Sequence, residues 1–127
     1  MEANKIIITG GATRIGAAIA QKLSGPGKEI VIHYNKSKSK AEKLKKELSK
    51  NKTKVYLIKG DLSKEIDVNK ILKFAKTKLK YFDCLINNAS LFENDKLENF
   101  TTDSWGHHLR TNLRTPALLS KEFSKNI

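Results

Sequence analysis

A chain of 127 residues, 39% of them hydrophobic, can bury one core, so a single domain over residues 1–127 is expected. The formal charge of +12 comes almost wholly from lysine, because arginine occurs only at Arg14, Arg110 and Arg114; this speaks against a nucleic-acid site built on arginine and interleaved aromatics. No apolar run approaches a membrane span, the first residues lack a signal-peptide pattern, and the single Cys84 excludes an internal disulfide, so a cytoplasmic protein with neither a membrane nor a nucleic-acid partner is expected.

The first element is a strand over Lys5–Thr9, carried by Ile6-Ile7-Ile8. Thr9-Gly10-Gly11-Ala12-Thr13-Arg14-Ile15-Gly16 follows as a glycine turn opening a helix, with Ile15, Ala18, Ile19 and Leu23 expected on its apolar side. Strand, glycine turn and helix in this order aim backbone N–H groups and the positive end of a helix dipole at one point, where a pyrophosphate can sit. An ordinary βα turn also uses glycine for positive φ, but the position between a strand and a helix near the N-terminus favours a dinucleotide. Arg14 occupies the middle glycine position of the usual three-glycine pattern and would add a guanidinium above the phosphates.

Gly25-Pro26-Gly27 breaks the chain before a second strand, Glu29–Tyr34. That strand leads into His33-Tyr34-Asn35-Lys36-Ser37, with no acid in the stretch. NAD binders place a carboxylate at this point for the ribose hydroxyls. A carboxylate would repel a 2′-phosphate, whereas Lys36 and the Ser37 hydroxyl would hold one, so NADP(H) is preferred. The lysine-rich stretch that follows reads as a charged helix, because Ala41, Leu44 and Leu48 share one face.

The third strand is Lys54–Lys59, ended by Gly60. Asp61 after it either accepts from an adenine amino group or, with Ser63 as the other candidate, caps the next helix. In that helix Val68, Ile71, Leu72, Ala75 and Leu79 share a face. The fourth strand covers Phe82–Asn87, with Cys84 as a small core residue. Asn87-Asn88-Ala89-Ser90 offers small and amide side chains where riboses approach closely, or simply a turn. After a loop with Asn94 and Asp95, a last helix starts near Thr102, capped by Thr102 or Asp103 and packed down by Trp105. Pro116 should distort it near Arg114–Thr115. His107 and His108 face different directions and are expected to be exposed; no metal-ligand spacing is present, so no metal is expected.

Strands alternating with helices imply parallel pairing with right-handed crossovers. The expected fold class is α/β: a Rossmann-type parallel sheet of about four strands in the order 3-2-1-4, with helices on both faces and no second half.

The motifs Thr9–Gly16, Asp61-Leu62, Asn87-Asn88-Ala89 and the late Asn112 resemble the short-chain dehydrogenase/reductase family along the whole chain. Three details look like the pteridine reductases and the related bacterial dihydrofolate/dihydromonapterin reductases: Arg14 for the middle glycine, His33–Ser37, and Asn88-Ala89-Ser90-Leu91-Phe92. The resemblance implies NADPH held by Gly10, Arg14, Ile15, Gly16, His33, Tyr34, Asn35, Lys36, Ser37, Asp61, Leu62, Asn88, Ala89 and Ser90. It implies a pterin- or folate-like substrate stacked on Phe92 and touched by Ser90 and Arg14, and a proton relay through Asn112.

The family's catalytic Tyr-x-x-x-Lys pair is not found beyond Asn112. Tyr34 and Lys38 have that spacing but begin at a strand end, where residues i and i+4 do not form a helical pair. The resemblance therefore implies about the first half of a homo-oligomeric reductase, inactive alone and weakly stable because its fourth strand is an open apolar edge. Two other readings remain open: a reductase of ketoacyl or sugar carbonyls, and a non-catalytic NADP(H)-binding or interaction protein.

Overall fold

In the computed structural model, which describes residues 2–91 and 96–125, three consecutive isoleucines divide the interior into two cores. Strand β1 (Lys5–Ile8) sends Ile6 and Ile8 to one face of the sheet and Ile7 to the other. β2 (Glu29–Tyr34) repeats this with Ile30 and Ile32 against Val31. β3 (Lys54–Lys59) contributes Val55 to the first core and Ile58 to the second. The period of two is that of a pleated strand, and strands covered on both faces are apolar at every position. β4 (Cys84–Ile86) completes a four-stranded, wholly parallel sheet in the order β3-β2-β1-β4, as the sequence predicts. Ile7 pairs with Val31 on one side and Leu85 on the other.

Helices α1 (Arg14–Leu23) and α2 (Lys38–Lys50) cover the first face through Ala20, Ala41, Leu44 and Leu48. Helix α3 (Glu65–Leu79) covers the second with all five of its expected residues, Val68, Ile71, Leu72, Ala75 and Leu79. Ile7 and Val31 are at most 1% exposed. Each such side chain stabilises the fold by about 1.5–3 kcal/mol relative to exposure.

α1 departs from the predicted face. Ile15 is 70% exposed and Ala18 is exposed, while Gly16 and Ala20 face inward. Gly16 sets this rotation: a Cβ there would lie 2.6 Å from the Asn88 side-chain nitrogen and 2.9 Å from the Gly11 Cα. The helix therefore turns its glycine, not its isoleucine, toward the sheet. β4 is shorter than predicted. Phe82 is buried ahead of it at 1% exposure, and the partly buried Cys84 packs against the first core. Burial and the nearby Asp83 carboxylate raise the Cys84 thiol above its ordinary pKa, which keeps it protonated.

The predicted single last helix is three segments: α4 (Thr102–Leu109), a π turn (Arg110–Arg114) and α5 (Thr115–Ser124). The Thr115 N–H donates to the Arg110 carbonyl five residues back. Pro116 cannot donate to the Asn112 carbonyl and its ring crowds that group, so a wider turn lets the helix pass. The break thus begins earlier than Arg114–Thr115. Thr101, not Thr102 or Asp103, caps α4 in a reciprocal capping box with Ser104. Trp105 does not pack the helix down. It is 59% exposed and leans on Phe100, ring centroids 5.9 Å apart. α5 is held instead by Leu119 in the second core, by Phe123 against Phe82, and by the Thr115 hydroxyl donating to the Leu62 carbonyl at 2.5 Å. Among the described residues, no helix is long and apolar enough to cross a membrane.

Candidate functional site

The C-terminal ends of β1, β2 and β4 open into a crevice of about 530 Å³. It is lined by Gly10, Thr13, Arg14, Ile15, His33, Asn35, Ser37, Lys40, Asn88, Ala89 and Ser90. A neighbouring hollow of about 280 Å³ shares His33, Asn35, Ala89 and Ser90 and adds Lys36, Gly60, Asp61, Leu62, Ser63, Leu91, His107 and Thr111. Both lie where the strand order reverses between β1 and β4, the place at which open parallel sheets bind ligands.

Two helices begin at this crevice. Thr13 is the N-cap of α1 and Ser37 that of α2, and neither side chain makes a capping hydrogen bond. The first-turn N–H groups of a helix have no intrahelical acceptor, and the dipole places partial positive charge there. Arg14 and Lys40 add full positive charge to the same crevice, and no carboxylate lines it among the described residues. The chemistry suits an elongated ligand with two separate anionic groups.

The glycine turn itself is braced from within. Gly10 has a φ of +61°, and its N–H donates to His33 Nδ1 at 3.0 Å. The Gly11 N–H donates to the His33 carbonyl, also at 3.0 Å. The amides of Gly10 and Gly11 are therefore spent within the fold, which leaves the first turn of α1 as the source of N–H groups for a ligand. The Thr9 hydroxyl oxygen accepts from the N–H groups of Asn88 at 3.1 Å and Ala89 at 3.0 Å. The Asn88 side-chain amide donates to the carbonyls of Thr9 and Gly10, at 3.2 Å and 3.0 Å. Asn88 thus spends its donor on the turn.

His33 is 3% exposed. Because Nδ1 accepts from Gly10, the proton sits on Nε2, which donates to the Gly60 carbonyl at 2.8 Å. Burial pushes its pKa below the ordinary histidine value, although the Gly60 bond and the charges of Asp61 and Asp67 act the other way. Arg14 has a φ of +49°, left-handed backbone that costs a non-glycine residue about 1 kcal/mol or more.

Asp61 accepts from the Ser63 N–H at 2.9 Å and the Ser63 hydroxyl at 2.7 Å, while its own N–H donates to Asp67. The N-cap of α3 is Lys64, without a side-chain bond, so neither Asp61 nor Ser63 caps it. Burial pushes the Asp61 carboxyl up, but the two Ser63 hydrogen bonds and the nearby Lys64 and His107 outweigh that and hold it below its ordinary pKa.

Not every predicted residue faces the crevice. Gly16 lies beneath it, and Tyr34 is half-buried against the first core. Leu62 is buried, lines the hollow, and lends its carbonyl to Thr115. Asn112, in the π turn, brackets the backbone of Leu91: its side-chain oxygen accepts from the Leu91 N–H at 2.7 Å and its nitrogen donates to the Leu91 carbonyl at 2.9 Å. Phe92, like Asn94 and Asp95, lies outside the described residues. Thr13, Lys40 and Thr111 line the two cavities without a site role expected from the sequence, and His107, expected only as an exposed histidine, lines the hollow. Lys40 sits one turn beyond Ser37, a signal hidden among many lysines. His107, from α4, lines the hollow near Asp61.

Residues 4–127 match the family model described as short chain dehydrogenase. The chain belongs to the short-chain dehydrogenase family. This short-chain dehydrogenase chain is 32% identical over 113 residues to the short-chain dehydrogenase/reductase FrzI of Cladobotryum sp, covering 89% of this chain and 44% of that protein. It is similar to the crystal structure of FolM alternative dihydrofolate reductase 1 from Brucella canis complexed with NADP, with a TM-score of 0.86 and 31% identity over 96% of this chain and 49% of that one. It is also similar to a short chain dehydrogenase from Burkholderia cenocepacia J2315 in complex with NADP, with a TM-score of 0.91 and 26% identity over 98% of this chain and 51% of that one. The chain spans about half the length of these three proteins.

Proposed function

We propose that this chain forms the NADPH-binding half of a short-chain reductase that passes hydride to a pterin- or folate-like substrate. The observation that carries the cofactor choice is the start of α2 at the crevice. The Ser37 hydroxyl is not used in capping, Lys40 lies one turn on, and Lys36 lines the adjoining hollow. A 2′-phosphate fits that charge, and the two structural relatives described above were crystallised with NADP.

In this reading the pyrophosphate lies at the start of α1 under Arg14, with the 2′-phosphate at the start of α2. The adenine enters the hollow beside Asp61. The bound nicotinamide supplies hydride for a C=N or C=C bond. Ala89 and Ser90 line the crevice where the β4 end approaches the glycine turn, which suits the riboses and the substrate side of the cofactor. Arg14 reaches over the crevice toward the substrate, and Phe92 is assigned to stack on the pterin ring. The Asn112 side chain is committed to Leu91, so its part in a proton relay falls to its main-chain carbonyl, to which Pro116, four residues on, cannot donate. The similarity to FolM, together with Arg14 in place of glycine, supports the pterin or folate substrate class.

Calorimetric titration with NADP+ and NAD+ tests the cofactor choice. NADP+ should bind at least tenfold tighter, roughly the effect of one charge-assisted phosphate contact. Equal affinities, or tighter NAD+, would refute it. Dihydrofolate should bind the NADPH-saturated protein and not the nucleotide-free one; no binding in the presence of bound NADPH would remove the pterin or folate assignment.

A further inference from the structure

We propose that His33 is a positioning residue: its neutral ring ties the glycine turn to the end of β3, and acidification releases the nucleotide crevice by breaking that tie. The inference rests on the reading of the crevice as a nucleotide site.

One imidazole joins the ends of three strands. Its Nδ1 accepts from Gly10 beyond β1, its Nε2 donates to Gly60 beyond β3, and its own backbone belongs to β2. Two backbone bonds run alongside, from Gly11 N–H to the His33 carbonyl and from Gly60 N–H to the Tyr34 carbonyl, both 3.0 Å. The ring is shielded from water, so neither of its bonds has a solvent substitute. Gly10, at positive φ, stands three residues before the Thr13 N-cap of α1, and its carbonyl lies against Gly16 in the first turn, so the ring bears on where the anion-binding donors stand.

The tie needs one tautomer. A protonated imidazole carries a hydrogen on both nitrogens. Nδ1–H would then face the Gly10 N–H, donor against donor, and the turn would have to move or lose its bond. Charged groups act on the ring from several elements. Asp61 and Asp67, from the β3–α3 connection, favour the proton. Arg14 of α1, Lys36 before α2, Lys40 of α2 and His107 of α4 line the two cavities that His33 borders, and positive charge there opposes the proton. Burial is the largest influence and keeps the ring neutral. The sign follows: the tie is complete above about pH 6.5, the ordinary imidazole value, and is lost as pH falls toward the lower value of the folded protein.

A histidine that merely contacted phosphate as a cation would behave oppositely, gaining affinity on acidification. The experiment therefore measures affinity for ADP-ribose, which has no 2′-phosphate to titrate, between pH 8 and pH 4.5. The wild-type protein should hold its affinity down to about pH 6.5 and lose it progressively below, at least twofold by the lowest pH. His33→Phe should bind at least tenfold more weakly at pH 8 with a flat pH profile. His33→Asn, whose amide oxygen can still accept from Gly10, should recover part of that loss and also be flat. Gly10 amide hydrogen exchange and ring 15N NMR report the tie without any nucleotide. The Gly10 amide should be protected at pH 8 with Nε2 protonated, and exposed in His33→Phe. Affinity that rises on acidification, or a Gly10 amide equally protected in His33→Phe, would overturn the proposal. If no nucleotide binds but the exchange and tautomer results hold, the nucleotide reading fails while the tie stands.

Discussion

The side-chain nitrogen of Asn88 lies 2.6 Å from the place that a Cβ on Gly16 would take. Gly16 is not at positive φ, so its need for glycine is one of space. The same Asn88 nitrogen donates to the carbonyls of Thr9 and Gly10, which makes the packing of α1 and the bracing of the glycine turn one device. Gly16→Ala should push α1 away from the turn and cost about 1–3 kcal/mol, the usual range for overpacking. Thermal unfolding and NADP+ titration should both register the change. A variant with unaltered melting and affinity would mean that the contact is not tight in solution.

Arg14 holds a left-handed backbone at φ +49° and lines the crevice. Strain of this kind at a crevice rim suggests that the guanidinium is retained for binding. Arg14→Gly should leave stability equal or raise it by about 1 kcal/mol, while NADP+ affinity falls about tenfold. Chemical denaturation and calorimetry separate the two effects. Lower stability with unchanged affinity would remove Arg14 from the anion site.

In the proposed reading Lys36 and Ser37 carry the preference for a 2′-phosphate. In Lys36→Asp, a carboxylate would stand where the phosphate is expected. The ratio of NADP+ to NAD+ affinity should drop at least tenfold, by like-charge repulsion together with the lost cation. An unchanged ratio would move the 2′-phosphate elsewhere, with Lys40 the next residue to vary.

The sequence made some of this legible and hid the rest for physical reasons. α3 was readable because five apolar residues at helical spacing outvote everything else on that helix. Parallel pairing followed from alternating elements, since parallel neighbours need crossovers, and the order β3-β2-β1-β4 from the Rossmann-type reading of the chain. The face of α1 departs from the expected one because periodicity weights Ile15 by hydrophobicity, whereas the packing is decided by what fits against the Gly10 carbonyl and Asn88. Pro116 announced a distortion, but the π turn spreads it back to Arg110, which only the hydrogen-bond pattern reveals. The His33 tie joins residues 23 and 27 positions apart, so it exists only once β1, β2 and β3 are side by side. Lys40 was hidden for a different reason, being one lysine among many, and the place of His107 beside Asp61 exists only in the folded chain.

Thr115 is 1% exposed, and its hydroxyl donates to the Leu62 carbonyl across 53 positions of sequence. Valine has nearly the same shape but no donor. Thr115→Val should therefore lose about 1–2 kcal/mol, the cost of leaving a buried carbonyl without this partner. A shift in the urea midpoint at constant slope checks it. No shift would mean that water reaches Leu62 in place of the hydroxyl.

The central claim is that one crevice receives two anionic groups of a dinucleotide at two helix starts. Titrating 15N-labelled protein with NADP+ and following backbone amides tests it most directly. A nucleotide crevice of this form predicts saturable shifts at the first turn of α1, Arg14–Gly16, and at the start of α2 around Ser37–Lys40. Responses at the second group should shrink when NAD+ replaces NADP+. Amides that stay unmoved in both groups, or shifts confined to the lysine-rich outer face of α2, would contradict it.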